Sequence, residues 1–215
     1  MQKIEMAKWP RKEIYEFFLG LSDPFYMVSF KQDVSGLYDL CKRKGLSFYS
    51  ALIWVCDEAI NSIEAFRYAM ADGQLVLYDK RDPSFTILKK DQENFQIVTM
   101  DHDEDLESFC FKAKEKSEKQ DFFIDMSRET EDLIYYSCLP WLDLTSLTNE
   151  KDLSNEKSRC DSIPRIAWGK YINDGDKKIL TISMEVNHRF IDGYHIGLFS
   201  KRCAEIIDRL NALEL

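Results

Sequence analysis

The sequence lacks the features that mark membrane-embedded, disulfide-linked and zinc-binding proteins. Its 215 residues contain no apolar run of about 18 residues, and residues 1–11 are polar and charged, so we expect neither a membrane span nor a signal peptide. The six cysteines are scattered, with no CxxC pair and no interleaved histidine, which predicts reduced thiols rather than disulfides or a zinc site. Together these absences favour a cytoplasmic protein that contacts no membrane and holds no metal.

Positive charge is also scarce. The chain carries 29 Lys and Arg against 38 Asp and Glu, a net charge of −9, whereas nucleic-acid binding requires clustered positive charge. No glycine-rich phosphate loop is present. With 45% apolar and 13% aromatic residues the chain can bury one sizeable core, and we expect a single domain over residues 1–215.

Apolar spacing predicts an α+β fold, a large mixed sheet with helices packed on it. Helical spacing occurs in residues 11–20, 47–63, 103–119 and 193–213. Short apolar runs bounded by turn residues predict strands at 25–30, 75–78, 85–88, 95–98, 135–139, 163–171 and 178–190. In the last of these strands the apolar face includes Met184 and Val186, and His188 has the same parity. The polar residues 149–161 predict a surface loop.

Only three histidines are available as bases near neutral pH. His102 lies in an acidic run that predicts a solvated position, and His195 begins the last helix, where packing or capping is expected. His188 ends a buried strand, four residues before Asp192 and just before a turn. From spacing alone, His188 is either a structural, hydrogen-bonded histidine or a base.

Asn187 to Gly193 resembles the His-His-x-x-x-Asp-Gly signature of the chloramphenicol acetyltransferases, which the acyltransferase cores of 2-oxo acid dehydrogenase complexes share. The resemblance extends over roughly residues 5 to 210 and distinguishes the first family from the second. The further matching segments, in family order, are Trp9-Pro10-Arg11-Lys12-Glu13, Phe66-Arg67-Tyr68-Ala69-Met70, Asp72-Gly73-Gln74-Leu75-Val76, Phe85-Thr86-Ile87, Ser137-Cys138-Leu139-Pro140-Trp141 and Gly169-Lys170-Tyr171.

The resemblance implies CoA-dependent O-acetylation of chloramphenicol or a similar small hydroxyl acceptor, with acetyl-CoA as co-substrate. It implies His188 as the general base, Ser137 as the oxyanion donor, and Asp192 and Arg11 as a structural ion pair. It further implies CoA contacts at Trp141 and Tyr171. The implied acceptor pocket is aromatic and consists of Phe17, Phe18, Tyr26 and Phe95. The implied assembly is a homotrimer with its active sites between subunits.

Several positions depart from the family pattern. Asn187 replaces the first histidine of the signature, and Ala167 replaces a threonine that holds a water near the oxyanion. Pro24 stands at a family cysteine. Asn149 occupies an apolar pocket position, where its polar side chain needs a partner or disfavours the antibiotic. The alternative is a non-catalytic trimeric scaffold that binds CoA or a small molecule, but such a scaffold has no chemical reason to retain His188, Ser137 and the ion pair together.

Overall fold

The helices follow the apolar spacing of the sequence. In the computed structural model, which describes residues 1–103 and 105–212, α-helices occupy Lys12–Leu19 (α1), Ser35–Lys44 (α2), Phe48–Asn61 (α3), Leu106–Lys119 (α4), Glu156–Arg159 (α5) and Gly193–Ala212 (α6). The hydroxyl of Ser47 and the carboxylate of Asp105 cap α3 and α4 by accepting hydrogen bonds from backbone N–H groups of the first turn. Each cap begins its helix near the residue that the spacing predicts.

The strands form one large mixed sheet and one small sheet. Strands occupy Gln2–Lys3 (β1), Phe25–Asp33 (β2), Tyr68–Ala71 (β3), Gln74–Leu77 (β4), Asp82–Ile87 (β5), Gln96–Thr99 (β6), Leu133–Leu139 (β7), Arg165–Gly169 (β8), Ile172–Asp174 (β9) and Lys177–Asn187 (β10). The large sheet has the order β2-β10-β8-β7-β5-β6, with β9 paired to β10, and β1-β4-β3 form the small one. The pairs β5–β7 and β7–β8 are parallel, whereas the other pairs are antiparallel.

Helices α2, α3, α4 and α6 cover one face of the large sheet. The even-numbered residues of β10, Leu180 to Val186, point into this core, where α3 contributes Leu52 and Val55 and α6 contributes Phe199. Nearly the whole of α3 is buried, because it lies between the sheet and the other helices. The predicted α+β fold of a mixed sheet with a helical layer is therefore confirmed.

The opposite face of the sheet, which we call the outer face, is crossed by residues 142–161. The hydroxyl of Ser183 on β10 accepts a hydrogen bond from the backbone N–H of Leu147 and donates one to its carbonyl. Gly169 is required at this crossing, because a Cβ there would lie 2.4 Å from the carbonyl oxygen of Leu142. The crossing segment is thus packed tightly on strands β8 and β10.

Two sequence expectations require correction. Residues 149–161 are not simply a surface loop, because they contain the short helix α5 and side chains that reach buried partners on β10 and in the turn after it. Helix α2 was not predicted, although its Leu37, Leu40 and Cys41 are buried. Leu213, the last residue of the predicted closing helix, lies outside the described residues. No helix in the described part of the chain is both long and apolar enough to span a bilayer.

His102 is a third correction, because its side chain is only 9% exposed instead of solvated. Its Nδ1 lies 2.5 Å from Oδ2 of the fully buried Asp57, and its Nε2 lies 3.1 Å from Oε1 of Glu58. The two carboxylates belong to α3, so the histidine joins the segment before α4 to that helix. The acidic run around His102 therefore predicted solvent exposure wrongly, because the ring forms an ionic cluster with Asp57 and Glu58 of α3.

Replacing His102 by glutamine should lower the free energy of unfolding by about 3–5 kcal/mol, because Asp57 then stays buried without its cationic partner. Hydrogen bonds to Asp57 and Glu58 raise the pKa of His102 to about 10. In the unfolded chain that pKa is about 6.5, so the contribution of His102 is complete below about pH 6.5 and is lost as the pH rises through about 10. Burial raises the pKa of Asp57 to about 6, so both partners are charged between about pH 6 and 10.

Urea unfolding of the wild type and the variant at about pH 6, 8 and 10 measures this difference. The matched control is Lys112→Gln, which removes an ion pair whose lysine is 59% exposed and should cost less than about 1 kcal/mol. A difference between wild type and H102Q that stays constant with pH would contradict the prediction.

Candidate active site

His188 stands where β10 ends and the chain turns toward α6. Its backbone N–H donates to the carbonyl of Pro24, which continues the β10–β2 pairing by one residue. Its imidazole lies 4.2 Å, between ring centroids, from both Phe18 and Tyr26, and it is stacked on Phe18 with an interplanar angle of 26°. Two aromatic side chains thus fix the orientation of the ring.

This aromatic environment keeps His188 neutral. Burial lowers the pKa of His188 below its ordinary value, an effect that the negative charge of Asp192 opposes and the positive charge of Arg11 reinforces. At pH 7 the imidazole is therefore unprotonated, the form that a general base requires.

Asp192 and Arg11 form the ion pair that the family resemblance implies. Nη1 of Arg11 lies 2.6 Å from Oδ2 of Asp192, and Nη2 donates to the backbone carbonyl of His188. His195 lies in the first turn of α6, where its Nδ1 accepts a hydrogen bond from the backbone N–H of Asp192. Arg11 thereby joins the start of α1 to the turn that carries His188.

Replacing Asp192 by asparagine or Arg11 by valine should lower both activity and the free energy of unfolding, the latter by up to about 3 kcal/mol, the lower end for a buried pair. The value is at the lower end because Asp192 remains 31% exposed. Since both changes loosen the same turn, the double variant should be little worse than either single one. Steady-state kinetics and urea titration of all three variants measure the coupling, and fully additive losses would show that the two residues act independently.

Ser137 lies on β7, two strands away from β10, on the outer face of the sheet. It pairs with Ala167 on β8, which pairs with Ser183 on β10, and its hydroxyl lies 3.4 Å from that of Thr86. Side chains alternate between faces along a strand. His188 follows the end of β10 and contacts Tyr26, the partner of Val186 on the helix-covered face, so it is on the opposite side of the sheet from Ser137.

The predicted site residues consequently form two separate groups within one chain. The first, at the β2–β10 edge, surrounds His188 and contains Phe18, Tyr26 and the ion pair; Phe17, 74% exposed, packs edge-on against Phe18. Ser137 on β7 and Phe95 just before β6 lie toward the other edge. Phe95 precedes β6, is 48% exposed and packs against Phe123. Five strand spacings of about 4.8 Å separate the edge strands β2 and β6.

The four aromatic residues predicted for the acceptor therefore do not form one pocket in a single chain. Phe17, Phe18 and Tyr26 are neighbours of His188, whereas Phe95 is remote from them. We call the group around His188 the base half-site and the group around Ser137 the oxyanion half-site.

The residues predicted to contact CoA differ in their surroundings. Trp141 follows β7 and is 70% exposed, so its ring is accessible. Tyr171 follows β8 and packs edge-on against Tyr38 and Phe48. Nζ of Lys178 lies 4.5 Å from the ring centroid of Tyr38 and 5.2 Å from that of Tyr171, which combines aromatic faces with positive charge.

Asn149 has a partner that sequence reasoning missed. Its side-chain Nδ2 and its backbone N–H donate to Oε2 of Glu185 at 3.4 and 2.9 Å, and Nζ of Lys151 contacts the other carboxylate oxygen. Glu185 lies on the outer face of β10 and is 3% exposed. The departure at Asn149 therefore belongs to a buried polar cluster that holds the crossing segment on the sheet.

The described residues contain no group of three or more His, Cys, Asp and Glu side chains with the geometry to hold a metal ion.

Comparison with known proteins identifies the group of proteins that shares these features. A family model described as chloramphenicol acetyltransferase matches residues 1–203. A chloramphenicol acetyltransferase of Staphylococcus aureus is 32% identical over 213 residues, which cover 97% of this chain and 96% of that protein. A solved chloramphenicol acetyltransferase structure superposes with a TM-score of 0.87 at 27% identity, covering 96% of this chain and 99% of that one.

A dihydrolipoamide acetyltransferase of Azotobacter vinelandii shares the fold, with a TM-score of 0.68 at 16% identity over 100% of this chain and 94% of that one. The fold and the family model together define an acyltransferase. The chain belongs to the chloramphenicol acetyltransferase family.

Proposed function

We propose that this protein transfers the acetyl group of acetyl-CoA to a hydroxyl of chloramphenicol or a similar small acceptor, at sites formed between the subunits of a homotrimer. The observation that carries the proposal is the separation of the two half-sites. A base on one sheet face and an oxyanion donor on the other cannot act on one substrate within one chain. Two copies can bring them together, and a closed ring uses every half-site.

The base half-site supplies proton transfer. A ring nitrogen of His188 removes the proton of the acceptor hydroxyl while the hydroxyl oxygen bonds to the thioester carbon. The resulting tetrahedral intermediate collapses, the carbon–sulfur bond breaks, and the imidazolium returns its proton to the CoA sulfur. Because Arg11 engages Asp192, the carboxylate orders the turn instead of taking part in proton transfer.

The oxyanion half-site supplies charge stabilisation. The hydroxyl of Ser137 donates to the oxygen that becomes negative when the tetrahedral intermediate forms. Its own neighbour, Thr86, lies on β5 and can orient that hydroxyl. In place of the family threonine, Ala167 offers no second hydroxyl beside Ser137.

The donor site proposed for CoA uses the two aromatic residues singled out above. Trp141 is exposed beside the oxyanion half-site and suits the pantetheine arm. Tyr171, with Lys178 over its ring, suits the adenine and phosphates of the nucleotide end. Because acetyl-CoA is a cytoplasmic metabolite, we expect the enzyme to act in the cytoplasm.

Complementation between two inactive variants tests the proposal directly. His188→Ala and Ser137→Ala, co-expressed with different affinity tags, should form mixed rings in which one of the three sites combines an intact base with an intact oxyanion donor. Release of free CoA thiol from acetyl-CoA in the presence of chloramphenicol measures the recovery, with each variant alone as the control. Mixed rings without activity would contradict sites shared between chains, and an inactive wild type would contradict the acceptor. Sedimentation of the wild type at the mass of one chain would contradict the trimer.

A further inference from the structure

Arg189, the residue after His188, has a side chain with no solvent exposure. Isolated charge in a protein interior is unfavourable unless it is paired and hydrogen-bonded, so a buried guanidinium indicates a specific set of partners. In the sequence Arg189 lies between His188 and Phe190, which is also buried. Sequence reasoning did not single it out.

One side of the guanidinium binds the C-terminal end of α1. Nε donates to the carbonyl of Phe18 at 3.3 Å, and Nη2 donates to the carbonyl of Leu19 at 3.0 Å. The last carbonyls of a helix have no partner within it and carry partial negative charge, so a cation there satisfies both. The arginine therefore fixes the backbone of Phe18, the residue whose ring is stacked on His188.

The other side binds residues in and just after α5. Nη1 donates to Oε1 of Glu156 at 2.9 Å and contacts Sγ of Cys160 at 3.0 Å. On the far side of the base, the side-chain amide of Asn187 donates to the carbonyls of Arg159 and Asp161. The two residues that flank His188 thus hold residues 156–161 together.

We propose that Arg189 is a positioning residue for His188, which it orients by fixing Phe18 against the imidazole while Asn187 anchors the other side of the turn. This inference rests on the proposed function, because it assigns Arg189 to the base half-site of that reaction. It also explains why Asn187 can replace the first histidine of the family signature. The amide makes two backbone hydrogen bonds, a role in which it takes no part in the chemistry.

The planar guanidinium is essential to this role. It reaches two carbonyls of α1 and one carboxylate of α5 in a single plane, whereas a lysine ammonium has all its donors on one atom. An apolar side chain of similar length fills the space but leaves the ends of α1 and α5 unconnected. Orientation of the base, rather than stability alone, should therefore respond to its loss.

The test compares Arg189→Met, Arg189→Lys and a matched control, Arg81→Met. Arg81 is also fully buried and donates to the backbone carbonyls of Phe66 and Tyr68 and to the hydroxyl of Ser162, but its hydrogen-bond partners include no residue of α1 or of the turn that carries His188. We expect R189M to lower kcat about 10- to 100-fold, as a misplaced catalytic group does, with KM for acetyl-CoA changed less than about two-fold. R189K should recover part of kcat, and R81M should retain the wild-type kcat per folded site.

A second measurement is independent of acetyl transfer. Histidine-selective NMR of the assembled protein follows the ring protons of His188, with H102Q and H195Q variants used for assignment. In the wild type we expect the stacked Phe18 ring to shield these protons, and we expect burial to hold the pKa of His188 below its ordinary value. In R189M the shielding should diminish and the titration should move toward about pH 6.5, the value of a solvated histidine.

The outcomes separate this inference from the proposed function. An R189M protein with unchanged His188 resonances and kcat within about two-fold of wild type would overturn the inference alone. An inactive wild type would refute the proposed function, while the resonances would still report whether Arg189 orients the ring. If R189M does not fold, R189K tests the inference, because lysine keeps the positive charge but lacks the planar guanidinium. Unchanged resonances and kcat in R189K would overturn the proposal.

Discussion

Replacing His188 by alanine is expected to lower kcat at least about 100-fold, the lower end for lost acid–base catalysis. A hydroxyl attacks a thioester at neutral pH only if its proton is removed as the bond forms, and only three histidines are present to do so. His102 is engaged by Asp57 and Glu58, and His195 by Asp192. Neither of these two imidazoles is free to replace that of His188.

The expected change is confined to the chemical step. The dissociation constant of CoA should stay within about two-fold of the wild type. A general base stabilises the transition state of the chemical step and is not needed to bind CoA. In the wild type, kcat/KM should fall on the acid side with an apparent pKa below the ordinary value of histidine. A thiol-release assay and equilibrium binding of CoA provide the measurements. His195→Ala is a suitable comparison, and near-wild-type turnover by H188A would make the non-catalytic scaffold the better account.

Replacing Ser137 by alanine is expected to lower kcat by about 100- to 1000-fold, the range for loss of one oxyanion donor. The hydroxyl bonds the developing negative charge more strongly than the ground-state carbonyl, so kcat should change more than KM. Ser137→Thr keeps the hydroxyl and should retain part of the activity.

Ser183→Ala is the matched control for this change, because Ser183 is on the same row of the sheet but bonds the backbone of Leu147 instead. Its effect should appear in the urea midpoint rather than in kcat. If S137A and S183A lowered kcat equally, the oxyanion role would be excluded and a shared structural role would remain.

The sequence predicts the fold well where the signal is local. The alternation along 178–190 placed Met184 and Val186 on one face, because a strand has a side-chain period of two, although the strand ends at Asn187 and not at Phe190 as predicted. The apolar spacing in 47–63 predicted α3 and its burial, because residues three and four apart share one face of a helix. Helix α2 was missed because its only buried residues are Leu37, Leu40 and Cys41, a weak stripe among charged side chains.

The features that sequence reasoning missed depend on partners distant in the chain. Lys151 and Glu156 lie in a polar stretch that is typical of a solvated loop. In the structure Lys151 contacts Glu185 on β10, and Glu156 contacts Arg189 in the turn after it. His102 is separated from Asp57 by 45 positions. A polar run does not reveal whether its charges face water or each other. One signal was available: Arg189 follows a strongly apolar strand and precedes Phe190, a place where an arginine needs buried partners.

The family resemblance named candidate site residues and implied sites between subunits, but it placed four aromatic residues in one acceptor pocket that a single chain does not form. The strand register, a property of the folded sheet, is what separates Ser137 from His188. The same register accounts for the aromatic residues, since Phe18 and Tyr26 meet at one edge and Phe95 lies near the other.

The opposite placement of the half-sites makes activation a separate event from folding. On the proposed assembly, a chain that has folded but not yet docked carries a base with no oxyanion donor in front of it. Such a chain cannot waste acetyl-CoA by hydrolysis while it waits for partners. Catalytic competence then appears with the third power of chain concentration at high dilution, as expected for a ring that closes from three copies, and specific activity becomes a direct report on assembly.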